Sequence, residues 1–224
     1  MRGPASRDQD QDQDPDPDPG LGLGLGLAGP GAPGQDPGSS WLGVIDMQRV
    51  FAEPGSAWFA PRFAGIVGNV AALVDAFRPR VAFTRFVAPD VPAGAWQRYY
   101  ELWPFALQPP GARIYELVDE FAAEPGPTLD ATTFSKWNAG LRDQVGAGGG
   151  LVLAGVSTDC CVLSTAVAAA DDGIAVQVVA DACAGVNDES QAQALDILRL
   201  YAPLIEVVST ADVLRGSSRP GDGQ

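Results

Sequence analysis

"LVLAGVSTDCCVLSTAVAAA" (residues 151–170) decides how this chain is read. Leu151–Val156 is an unbroken apolar run of strand length. The short polar turn Ser157–Thr158–Asp159 follows, and an Ala-rich segment predicts a helix over 159–172. A strand that hands over to a helix through a turn this short is half of a βαβ unit, and the other half is present. "IAVQVVAD" (174–181) is a second apolar strand candidate. An apolar run with no alternation reads as a strand covered on both faces, the signature of a parallel sheet.

The same rhythm extends outward. "WLGVID" (41–46) and "RVAFTRF" (80–86) read as strands. Between them "FAGIVGNVAALVDAFR" (63–78) places Ile66, Val70, Leu73, Val74 and Phe77 on one helical face. "ESQAQALDILRLY" (189–201) is amphipathic, with Ala192, Leu195, Ile197 and Leu198 as buried candidates, and "LIEVVS" (204–209) is a closing strand. Strands alternating with helices predict an α/β fold of three layers, a mainly parallel sheet with helices on both faces. The stretch 87–140 lacks this rhythm and is rich in Pro and aromatics. It is expected to form loops over the carboxyl ends of the strands, where open α/β sheets hold their ligands.

Composition limits the function classes. A chain of 224 residues supports one substantial core. Its net charge of −14 opposes nucleic acid and anionic membranes as partners, because both require a basic footprint. Three cysteines do not form a disulfide framework, so a reducing, cytoplasmic setting is expected. No apolar run approaches the roughly 20 residues of a spanning helix. Residues 1–39 are of low complexity ("DQDQDQDPDPDPG", "LGLGLGLAGPGAPG") and are expected to be a disordered tail. The G-x-G-x-x-G match within it, at Gly24, Gly26 and Gly29, has neither a strand before it nor a helix after it and carries no weight. One domain over 40–216 and a flexible end at 217–224 complete the expected organisation.

The polar residues at the strand ends suggest chemistry. Asp46 closes an apolar run, where it either projects into a site or caps a turn. Lys136, in "TTFSKW", is the only lysine among 14 cationic residues. An ammonium is compact, can be desolvated and can have its pKa shifted, whereas guanidinium is not deprotonated, so one retained lysine suggests a site that needs it, against the alternative of a surface residue left by chance. Cys160 and Cys161 open the helix after the strand. A thiol in a first helical turn is expected to ionise more easily, and the free N–H groups there suit an oxyanion; a buried structural thiol is the alternative. Cys183 fits the structural role. The chain has no histidine, which excludes Ser-His-Asp and Cys-His catalysis and every His-ligated metal.

"GVIDMQ", "TTFSKW" and above all "LAGVSTDCCVLSTAVAAADDGIAVQVVADACAG" resemble the isochorismatase-like cysteine hydrolases, a superfamily of Rossmann-like α/β proteins, over roughly residues 41–215. The resemblance implies an Asp46–Lys136–Cys161 triad that attacks an amide or ureido carbonyl and passes through a thioester. Cys160 would be a packing neighbour. It also implies a cis Val156–Ser157 peptide that aims the Ser157 and Cys161 N–H groups at one oxyanion. Nicotinamidases of the superfamily bind a metal through an Asp and histidines near the second strand. Here that region reads "FTRFVAPD", so neither a metal nor another cofactor is expected. The intact triad points away from true isochorismatases, which cleave a vinyl ether without the cysteine.

The expectation is a hydrolase of a small amide, ureido or carbamoyl compound, acting as a homo-oligomer (dimer or tetramer). Arg85 is either a substrate-carboxylate anchor or salt-bridged. Trp96, Tyr99, Tyr100 and Trp103 either wall the pocket or meet a second subunit, and Phe134 is a further pocket candidate. Three alternatives stay open: an isochorismatase-type hydrolase of another small molecule, a silent binding or assembly protein on the same fold, and a redox protein using the Cys160–Cys161 pair.

Overall fold

The computed structural model describes residues 40–217; the expected tail at 1–39 lies outside them, as does all of the expected tail at 217–224 except Ser217, which ends a helix. Six strands form one all-parallel sheet: β1 (Trp41–Ile45), β2 (Val81–Phe86), β3 (Thr128–Ala131), β4 (Gly150–Val156), β5 (Ala175–Ala184) and β6 (Ile205–Val208). Their spatial order is β3-β2-β1-β4-β5-β6. The chain first builds outward from β1 through β2 to β3, then crosses back and builds the other way from β4. The crevice between the carboxyl ends of β1 and β4 is therefore the topological switch point, where doubly wound sheets bind ligands.

Helices cover both faces. Helix α1 (Arg49–Ala52) is a single turn, and α2 (Phe63–Phe77) buries Phe63, Ile66, Val70, Leu73, Val74 and Phe77, the stripe that its periodicity predicts. With α7 (Thr210–Ser217) these close one core, centred on Leu42, Val44, Phe83 and Val152. The opposite core, around Ile45, Leu151, Leu153 and Val178, is closed by α4 (Ala139–Val145), α5 (Leu163–Asp171) and α6 (Asp188–Arg199). Strand β4 is buried along its whole length, as its uninterrupted apolar sequence requires.

Three sequence expectations need correction. In α6 the buried residues are Ala194, Leu195 and Leu198, while Ala192 and Ile197 face solvent, because the inward stripe runs through 191, 194, 195 and 198. Strand β5 continues to Ala184, so Cys183 lies within it rather than after it. The stretch 87–140 contains α3 (Ala95–Leu102), β3 and the start of α4 as well as loops. Strand β3, "TLDA", was invisible because it is a four-residue edge strand in which only Ala131 is buried.

Two close approaches fix the site end of the sheet. Gly155 has φ +115°, and a Cβ there would lie 2.1 Å from the Ile45 carbonyl oxygen, so β1 and β4 come together only because this residue has no side chain. Gln48 is fully buried; its side chain donates to the carbonyls of Phe86 (3.1 Å) and Tyr115 (2.8 Å) and accepts from the Phe86 N–H (2.8 Å). It ties the end of β2 to the loop over the sheet.

Candidate active site

Asp46 is the first residue beyond β1. Its φ of +48° lies in the left-handed region, which Asp tolerates better than most residues. Thr84, in the middle of β2, receives it there. The Thr84 hydroxyl donates to Asp46 Oδ1 at 2.7 Å and accepts from the Asp46 N–H at 3.2 Å. The other oxygen, Oδ2, lies 3.0 Å from Lys136 Nζ with both side chains buried. The angle of that approach is not that of a hydrogen bond, so Oδ2 is an ion-paired oxygen with a lone pair to spare. Taking two charges out of water is costly, and such a pair persists only where its surroundings position it closely.

Lys136 arrives from the loop after β3. Its ammonium donates to the Thr133 carbonyl at 3.0 Å and sits 4.8 Å from the Phe86 ring centroid. Its backbone is anchored as well, since Lys136 N–H donates to Thr165 Oγ at 2.9 Å. The same hydroxyl donates to the Cys161 carbonyl at 2.6 Å. Thr165 thus joins the lysine loop to the cysteine turn.

The Val156–Ser157 peptide is cis. After it, residues 158–162 form a π-helical turn that leads into α5, where the sequence predicts one continuous helix. The Ser157 carbonyl accepts from both Cys160 N–H (3.1 Å) and Val162 N–H (3.0 Å). Asp159 Oδ1 accepts from the Ser157 hydroxyl and, at 3.0 Å, from the N–H of Val186 in the loop after β5.

The electrostatics differ from the sequence expectation at Cys161. A depressed thiol is predicted there, yet the structure holds Cys161 well above the ordinary thiol range. It donates to the Cys160 sulfur, it is buried, and the Asp46 charge opposes ionisation more than Lys136 favours it. Cys160, which receives that hydrogen bond, is lowered. Burial pushes Cys183 up to about 12, leaving it an inert structural thiol.

A pocket of about 280 Å³ opens over this turn. Its walls include Phe51, Trp58, Phe86, Tyr99, Trp103 and Phe134, and its polar side is formed by Ser157, Asp159, Cys160 and Cys161, with Val186 at the rim. The aromatic walls interlock: Trp58 meets Phe86 edge-on at 5.7 Å and Phe105 at 5.2 Å.

Of the sequence-predicted site residues, Asp46, Lys136, Val156, Ser157 and Cys161 are brought together, and Tyr99 and Phe134 face the pocket. Trp96 is not among its walls; it packs behind them, 5.0 Å from Phe134 and 5.2 Å from Tyr99. Arg85 does not line the pocket either. Thr84 and Phe86 take the site side of β2, so Arg85 emerges on the opposite face and pairs bidentately with Asp130, its register partner on β3, at 2.7 Å.

Sequence reading missed Thr84, Thr165, Trp58 and Phe86. A lone Thr inside the apolar run "VAFTRF", and a Thr one helical turn after Cys161, were the available signals for the first two. Among the described residues no group of three or more acidic or Cys side chains is arranged to hold a metal ion, and no helix is long and apolar enough to cross a membrane.

Known proteins are similar to this chain in sequence or in fold. Isochorismatase domain-containing protein 2 of Bos taurus is 29% identical over 163 residues, spanning 73% of this chain and 68% of that one. Two solved structures superpose with covering matches. One is a cysteine hydrolase from Pseudomonas syringae pv. phaseolicola 1448A (21% identity, TM-score 0.68, 82% of this chain and 94% of that one). The other is a nicotinamidase from Bacillus subtilis (24% identity, TM-score 0.62, 76% and 99%). At these identities the likeness is one of fold. Residues 40–212 match the isochorismatase domain as a family, and that span runs from β1, which delivers Asp46, into α7. The chain belongs to the isochorismatase family.

Proposed function

We propose that the protein is a cysteine hydrolase that cleaves a carbon–nitrogen bond of a small amide, ureido or carbamoyl compound, with Cys161 as nucleophile. The observation that carries this reading is the buried Asp46–Lys136 pair, 3.0 Å apart, tied through Thr165 to a cysteine that opens onto the pocket. A thiol held above the ordinary range rests protonated, so it needs a base at the moment of attack, and Asp46 is the charged group set against it.

In the first half-reaction Asp46 takes the Cys161 proton as the sulfur attacks the carbonyl carbon. Lys136 holds the carboxylate in place and balances the charge that moves. The backbone N–H groups of Ser157 and Cys161 receive the oxyanion. The carbon–nitrogen bond then breaks, Asp46 returns the proton to the leaving nitrogen, and a thioester remains. Water, deprotonated by Asp46, attacks the thioester. The acid leaves, and the proton returns to sulfur. This route uses no cofactor. The chain's net charge of −14 supports a small-molecule substrate over a nucleic acid or an anionic membrane. A homo-oligomeric assembly is part of the proposal.

The test compares the two adjacent cysteines. Ammonia release from a panel of small amides and ureas should be abolished by Cys161→Ala and largely retained by Cys160→Ala. Cys160 is the more easily ionised of the two, so retained turnover in Cys161→Ala with loss in Cys160→Ala would transfer the nucleophile to it and end this assignment.

A further inference from the structure

Apart from the backbone N–H groups proposed for the oxyanion, the pocket offers an anion no charged partner. Its walls are aromatic and aliphatic, and the one charged side chain among them is the carboxylate of Asp159. Both groups that donate to Asp159 Oδ1 come from the protein, the Ser157 hydroxyl and the Val186 N–H, so its negative charge is held in position at the polar side of the pocket. Lys136 is not a wall of the pocket, nor is any arginine. The lysine is 1% exposed, paired with Asp46, and lies against the Phe86 ring, which is itself a wall. Arg85, which the sequence offers as a carboxylate anchor, is occupied by Asp130 on the far face of β2.

We infer that the substrate group held in this pocket is uncharged and apolar, an aryl or alkyl group, and that amides carrying a carboxylate on that group are excluded. The inference rests on the reading of the pocket as the substrate site, and not on the fate of the amide. An incoming carboxylate would lose its hydration among aromatic rings, gain no ammonium or guanidinium partner, and face Asp159. An aryl or alkyl group loses nothing by leaving water, and an aryl group gains edge and face contacts with Trp58, Tyr99 and Phe134. The volume of about 280 Å³ is at the small end for ligand pockets, so the substrate is a small molecule.

The test measures binding to full-length Cys161→Ala, which cannot form a thioester. Saturation-transfer NMR titrations would compare benzamide with 4-carbamoylbenzoate, and hexanamide with 5-carbamoylpentanoate. Each neutral member should bind at least tenfold more tightly than its acid. Equal or tighter binding of either acid overturns the inference, as does failure of both neutral amides to bind. Adding Val186→Arg, at the exposed rim of the pocket, should narrow the gap about tenfold by supplying the missing cation; an unchanged gap would also overturn it. Turnover separates this from the functional reading. Neutral preference in binding with no amide hydrolysed by the unmodified protein defeats the amidase reading alone. Hydrolysis of charged and neutral amides at equal rates defeats this inference alone.

Discussion

Lys136 concentrates the proposed chemistry of the candidate site in one side chain. Its ammonium has a carboxylate oxygen at 3.0 Å, a carbonyl at 3.0 Å and an aromatic centroid at 4.8 Å, in a place with essentially no solvent. A guanidinium carries the same charge but is planar, forked and larger. Lys136→Arg should pair bidentately with Asp46, take up the oxygen that is free to accept a proton, and push the Phe86 ring aside. The expected result is a loss of roughly a hundredfold in kcat/KM, about 2.7 kcal/mol. Steady-state kinetics on whichever amide the panel selects would measure it. Rates within a few-fold of the unmodified protein would show that charge alone is required and that the shape argument is wrong.

At the scale of elements, the site is a meeting of two strand ends, and Gly155 sets the spacing. Gly155→Ala would place a methyl group 2.1 Å from the Ile45 carbonyl oxygen in a backbone conformation that L-residues avoid. Strands β1 and β4 would have to part, carrying Asp46 away from the cysteine turn. A loss of about 3 kcal/mol in urea unfolding is expected, with activity falling further than stability. An unchanged denaturation midpoint would mean that the strands tolerate a wider gap.

These elements also explain what the sequence made legible. Asp46, Ser157 and Cys161 follow strands whose apolar runs are unmistakable, so their convergence could be anticipated once the strand order was known to reverse between β1 and β4. Lys136 was conspicuous for its chemistry, although the strand before it, β3, was not detectable. The walls were half legible. Tyr99 and Phe134 stand out among the aromatics of 87–140, but Trp58 lies far from them in sequence and is placed only by tertiary packing. The side on which Arg85 emerges depends on strand register, and the composition of "VAFTRF" does not encode it. The ordering of the two cysteine acidities was also hidden, because it depends on which thiol donates the hydrogen bond between them and on how deeply each is buried.

For the whole molecule, the buried acids that stay neutral set the response to alkali. Burial pushes Cys183 from an ordinary 9.0 to about 12, and Tyr100 from 10.0 to about 12. In the unfolded chain these groups lose their protons near their ordinary values, while in the fold they keep them. The native state therefore binds more protons between about pH 9 and pH 12, and stability falls as pH rises through that window. Cys183 alone accounts for about 2 kcal/mol at about pH 10.5. Urea midpoints at about pH 8 and pH 10.5 should differ accordingly, and the difference should shrink in Cys183→Ala. An identical pH response in that variant would show that other groups govern the alkaline loss.

The solitary lysine has a consequence outside catalysis. Every other cationic side chain in the protein is a guanidinium, and the single side-chain amine is 1% exposed and paired. The folded domain therefore presents no lysine amine to a soluble acylating reagent. Acetylation of Lys136, followed by mass spectrometry of its peptide, would record only those moments when the site comes open. The rate of that labelling, compared with the rate in urea, would give the frequency with which this buried pair opens to solvent, with Lys136 as an internal reporter and no probe introduced.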